Sequence, residues 1–145
     1  MVESRIESKL EVSTYLAQLK HALNNGATIS FQRFRRVDDE REERYTNNYT
    51  MNTLFPDEDP LVVLRRELHA LDVREYLRTV RDSRFPKRSE MREFGKVYKG
   101  SEEVYIKVRV ELCSQGGYGQ HTTFVMSFHF AEKPFSEEHF PYRSE

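Results

Sequence analysis

The chain is 145 residues long, 32% charged and 37% hydrophobic, with a formal net charge of −1. That length suits one domain, residues 1–145, able to bury a core without staples, and the single cysteine, Cys113, excludes an internal disulfide and a cysteine-cluster zinc site. No apolar run approaches the ~20 residues of a membrane-spanning helix, and a near-neutral total sets up no global field toward nucleic acid or membrane.

The N-terminus MVESRIESKL is charged and lacks the apolar centre of a signal peptide, so a cytoplasmic protein with no membrane partner is expected. Residues 3–24 read as an amphipathic helix with Ile6, Leu10, Leu16, Ala17, Leu19 and Leu23 near one face. Asn24-Asn25-Gly26 stops it. ATISFQRF alternates as a strand. The segment RRVDDEREERYTNNYTMNTLFPDEDP, charged and then polar-aromatic, has no clear period.

Asp59 and Pro60 open a second helix with Leu61, Leu64, Leu68 and Leu71 as its stripe. Asp72 and Glu75 have capping-box spacing, which predicts a third short helix through Thr79 or Val80. SRFPKRSE is a loop. From Met91 the period switches to two, and MREFGKVY, EEVYIKVRVEL and QHTTFVMSFHF read as three consecutive strands. Gly100-Ser101 suits a two-residue hairpin turn. Residues 131–145 form a tail with two prolines and no period. The expected class is α+β: an antiparallel sheet, built around this C-terminal three-strand meander, packed against N-terminal and central helices.

Register follows from the need for apolar faces to coincide. Val104, Ile106, Val108 and Val110 face one way, and Tyr105, Lys107, Arg109 and Glu111 the other. Phe124, Met126, Phe128 and Phe130 share the apolar face of the last strand. Pairing Val110 with Phe124 sets Tyr105 opposite His129 and Lys107 opposite Ser127. The two-residue turn pairs Lys96 with Tyr105. A row Lys96–Tyr105–His129 results, with Lys107 and Arg109 beside it and side chains ~5 Å apart.

Such a set suits metal-free phosphodiester chemistry on RNA. Lysine and arginine hold the phosphate and offset its developing charge; histidine or tyrosine moves the proton. No histidine and carboxylate cluster has metal-ligand spacing, so neither metal nor cofactor is expected. A solvated sheet face decorated with lysine, arginine and tyrosine is the competing reading. Residues 74–99 add a local basic patch, nine basic side chains against four acidic.

The string EFGKVYKGSEEVYIKVRVEL, followed by FVMSFHFAEKPF and FPYR, resembles the MqsR-like toxins of type II toxin–antitoxin systems, small proteins of the RelE superfamily. The shared pattern is an (F/W)xxxVY-like strand, a short turn, a V-Y-(I/L)-K strand and an S-F-(H/K) strand, preceded by ALDVREYLRTV as the family's helix. It covers residues 60–133. The resemblance implies a RelE-like fold and a ribosome-independent mRNA endonuclease that arrests translation and growth until a cognate antitoxin, a DNA-binding helix-turn-helix protein, masks it.

The resemblance and the register together make Tyr105, His129 and Lys107 the expected catalytic residues, and Arg78, Lys96, Arg109 and Arg84 the expected RNA-binding ones. The chain departs from the family in its net charge of −1, in Gly95 where glutamine can stand, and in residues 41–59 and the tail. Two further readings stay open: a non-catalytic RNA- or protein-binding module of the same fold, and an assembly protein using edge strands and the tyrosine-rich segment 45–55.

Overall fold

The computed structural model describes residues 2–35, 40–85, 87, 89–112 and 121–143. Among them are six strands, β1 (Val2–Arg5), β2 (Thr28–Phe31), β3 (Tyr76–Asp82), β4 (Met91–Tyr98), β5 (Glu102–Leu112) and β6 (His121–Phe130). Three α-helices accompany them, α1 (Lys9–Asn24), α2 (Asn47–Leu54) and α3 (Pro60–His69). The strands form one sheet in the order β1-β3-β4-β5-β6-β2. The class is α+β as expected, but the sheet is mixed: β2 runs parallel to β6, and every other neighbouring pair is antiparallel. After α1 the chain enters the sheet at its far edge, where β2 is joined to β6 only through the whole intervening chain and needs no hairpin.

Local chemistry sets the element boundaries. Ser8 accepts from the Glu11 amide while the Glu11 carboxylate accepts from the Ser8 amide, a capping box that starts α1 at Lys9. The residues before it are thereby free to pair as β1 with β3, which corrects the helix expected from residue 3. The buried stripe of α1 is Val12, Tyr15, Leu16, Leu19, Ala22 and Leu23, whereas Ile6, Leu10 and Ala17 lie outside. Asp59 and Pro60 begin α3 as read, burying Val63, Leu64 and Leu68 and leaving Leu61 exposed.

The Asp72–Glu75 box also forms, yet it caps only one 3-10 turn, Val73–Glu75. Residues 76–82 are strand β3, not helix. Ladder bonds to β1 on one side and β4 on the other outweigh one turn's cap, and Tyr76 and Val80 are fully buried there. The segment without a period contains α2, capped by Thr46, whose hydroxyl accepts from the Tyr49 amide.

α2 completes the edge of β6. Beyond the β2 pairing, the Phe128 amide donates to the Asn47 side-chain carbonyl (3.0 Å) and the Phe130 amide to the Thr50 hydroxyl (2.9 Å). One face of the sheet, bearing Phe94, Val104, Ile106, Val108, Val125, Phe128 and Phe130, belongs to the core that it shares with the helices.

Two register shifts decide what the other face displays. Between β4 and β5 the loop is three residues long, with Lys99 and Gly100 both at positive φ (52° and 83°). Tyr98 therefore pairs with Glu102, and Gly95, not Lys96, pairs with Tyr105. Between β5 and β6 the expected pairs Tyr105–His129 and Lys107–Ser127 form. Past Lys107 a β-bulge makes Met126 an extra residue, so Val108 meets Val125 and Val110 meets Thr123 rather than Phe124. The bulge turns Val125 and Thr123 into the interior and Phe124 and Met126 out of it, the reverse of the alternation read from sequence.

Glu7, at the junction of β1 and α1, ties the edge of the fold together. Its amide donates to the Tyr76 hydroxyl (3.0 Å) and its carbonyl accepts from Tyr142. Its carboxylate accepts from Arg92 (2.8 Å) and Thr79. The side chain is 4% exposed. Glu7→Ala leaves the half-buried Arg92 without its carboxylate partner and removes the acceptor of Thr79; the expected result is a loss on the order of 1–3 kcal/mol of unfolding free energy by urea denaturation, and Glu11→Ala at the exposed cap is expected to cost less.

Candidate active site

The non-core face of β4, β5 and β6 is the floor of a cavity of about 580 Å³. Tyr105 and Lys107 rise from β5, Ser127 and His129 from β6, and Arg78 from β3. Arg35 and Arg41 reach in from the segment that follows β2, and the tail residues Glu132, Lys133, Phe135 and His139 form a wall. The volume falls within the range of small-ligand sites, ~300–1,000 Å³.

Glycine makes that wall possible. A Cβ at Gly95 would stand 2.8 Å from Phe135 Cε2 and 2.9 Å from Phe140 Cζ. With none there, the two rings meet edge to face over the sheet at 5.5 Å between centroids. The Phe135 amide donates to the Glu103 carboxylate, and Arg41 pairs with Glu132 at 3.3 Å, fixing the tail against the floor. The position where the family resemblance offers glutamine is thus a point of close packing.

The polar groups on the floor hold one another in defined states. Glu93, 3% exposed, accepts from Arg78 at 2.7 Å, and its charge acts on the Tyr105 hydroxyl. Burial, reinforced by the Glu93 carboxylate, raises the Tyr105 hydroxyl pKa far above its ordinary value, so it keeps its proton and serves as a donor. Burial lowers the pKa of the Lys107 ammonium; Glu93 opposes this, and Arg35 and Arg78 add to it.

His129 is 5% exposed, and burial lowers its pKa against the opposing hydrogen bond to Phe130. Its Nδ1 lies 2.9 Å from the Phe130 carbonyl, an acceptor only, so Nδ1 carries the proton and Nε2 is the open acceptor. The Tyr105 and His129 rings are 5.4 Å apart.

Of the residues singled out from sequence, Tyr105, Lys107, His129 and Arg78 come together here. Lys96 does not: the longer turn puts it on the opposite face, 3.8 Å from Glu75 and over the Tyr98 ring. Arg84 lies in the turn after β3, bound to Asp82 at 2.7 Å and outside the cavity. Arg109 borders a neighbouring cavity of about 160 Å³.

Sequence reasoning missed Arg35, Arg41 and Glu93. The arginines come from a segment without a period and carried no signal. Glu93 was recoverable: Phe94 and Tyr98 share a parity that belongs on the core face, which leaves Glu93 and Gly95 on the other. Among the described residues no group of three or more histidine, cysteine, aspartate or glutamate side chains has metal-binding geometry, and no helix is long and apolar enough to cross a membrane. No family model, curated protein or solved structure matches the chain.

Nitrogen-15 NMR is expected to find His129 as the Nδ1–H tautomer, titrating below the ordinary histidine range. Below the unfolded value of ~6.5, the unfolded chain binds a proton that the folded chain refuses, so stability falls as pH drops through this window. His129→Asn is expected to flatten that part of the stability profile. Gly95→Ala is expected to cost about 1–3 kcal/mol and to speed proteolysis of the tail, read by limited digestion.

Proposed function

We propose that the protein is a metal-independent endoribonuclease of the RelE-like, MqsR-like kind, acting on single-stranded mRNA as the toxin of a toxin–antitoxin pair. The observation that carries the reading is the convergence, in one cavity, of a buried histidine with an open Nε2, a desolvated lysine and three arginines. Neutral imidazole beside concentrated cationic charge suits a phosphodiester whose 2′-hydroxyl must lose a proton.

In this mechanism His129 Nε2 takes the 2′-hydroxyl proton, O2′ bonds to phosphorus, the P–O5′ bond breaks, and the Lys107 ammonium gives a proton to the leaving O5′. The products are a 2′,3′-cyclic phosphate and a 5′-hydroxyl; exchange with water restores both side chains. A lowered lysine pKa brings the acid nearer the working pH, where general acids are most effective. Arg35, Arg41 and Arg78 offset the charge that builds on the non-bridging oxygens. Tyr105 keeps its proton beside the Glu93 carboxylate and offers its ring next to His129.

One observation favours the second reading, an RNA- or protein-binding module: Glu93 already engages Arg78 at 2.7 Å. Incubating the purified protein with single-stranded RNA in EDTA decides between them. The expected result is cleavage to cyclic-phosphate ends, with the 2′-deoxy analogue intact. His129→Gln is expected to slow it about 10²–10⁴-fold, Lys107→Met to a similar degree, and Tyr105→Phe less. Binding without cleavage would favour the module.

A further inference from the structure

Past the Met126 bulge the same sheet face carries a second hollow. The smaller cavity is lined by Ser30 and Gln32 from the β2 side, by Arg109 and Phe124 from β5 and β6, and by Arg35 and Met126, both of which also line the larger cavity. The two hollows therefore adjoin. Arg109 and Lys107 project from one face of β5, two residues apart, a spacing of about 7 Å. That spacing is comparable to the phosphate-to-phosphate step of an extended single strand.

The bulge supplies the rest of the subsite. In an unbroken ladder Phe124 would face the core; here its half-buried ring lies beneath Arg109, with the guanidinium carbon 4.4 Å from the ring centroid. A guanidinium plane laid on an aromatic ring is a surface on which unpaired bases stack, and the arrangement tolerates any base because every base has a π-face. Arg35 spans the boundary, its Nη1 donating to the Met126 carbonyl at 2.9 Å.

We infer that the Arg109–Phe124 platform is a flanking-nucleotide subsite, holding the base or phosphate next to the scissile step of the same RNA strand. The inference rests on the RNA-cleaving reading for its substrate class, but its test uses binding, which needs no catalysis. Labelled 2′-O-methyl oligonucleotides of two, three and four nucleotides, which cannot be cut at the 2′-oxygen, are titrated into the full chain and followed by fluorescence anisotropy.

The expected result is a step in affinity on the order of tenfold when the strand becomes long enough to reach the platform, and the disappearance of that step in Arg109→Gln and in Phe124→Leu. Arg84→Gln, outside both hollows, is expected to keep the step. Should Phe124→Leu fail to fold, Arg109→Gln decides alone, since glutamine retains much of the aliphatic stem over the ring. A smooth length series in the wild type, or an equal step in Arg109→Gln, overturns the subsite. Cleavage of RNA without the step removes this inference only; a step without cleavage keeps the subsite and removes the enzyme; neither removes both.

Discussion

One extra residue in β6 governs how this sheet is used. Met126 has no partner on β5, and its carbonyl accepts from Arg35 and, at 3.4 Å, from Asn47. Those two bonds attach the segment after β2 and the start of α2 to the middle of β6. The same insertion inverts the strand before it, sending Val125 and Thr123 into the interior and Phe124 outward. Core, cavity wall and platform thus share one irregularity. Bulges recur beside functional sites because they re-aim side chains without breaking a sheet.

How far the amino-acid pattern could lead depended on where regular alternation held. Tyr105 opposite His129 was legible because VYIKV and SFHF each alternate strictly, and a one-residue slip there would bury lysine and histidine in the core. Lys96 is misplaced by sequence because Gly100-Ser101 alone suits a two-residue turn; the cost of a left-handed lysine at position 99 hides the third loop residue from a propensity argument. Asp72–Glu75 formed its cap, yet the chain continued as a strand, since a capping box marks a start and says nothing of length. The Met126 bulge left no signature, as FVM is apolar at every position and fits either phase.

Charge is distributed in the same economical manner. A net charge of −1 suggested little attraction for polyanions, but the total conceals its arrangement. Two buried carboxylates, Glu7 and Glu93, each answer an arginine at the sheet, while Arg35, Lys107 and Arg41 gather at a single hollow. The local potential over that hollow, focused by its low-dielectric walls, is what a phosphate would meet. Glu7 meets the desolvation that burial imposes with hydrogen bonds from Arg92 and Thr79, whose combined effect holds its carboxyl below the ordinary range.

The side-chain completion of β6 by Asn47 and Thr50 has a bearing on association. A strand carrying three phenylalanines and a free row of amides would be a template for another chain, the usual route from an unprotected edge to aggregation. Here the amides of Phe128 and Phe130 are already occupied by α2. A macromolecule approaching this stretch of the edge cannot add itself as a seventh strand, and must recognise the surface through its side chains.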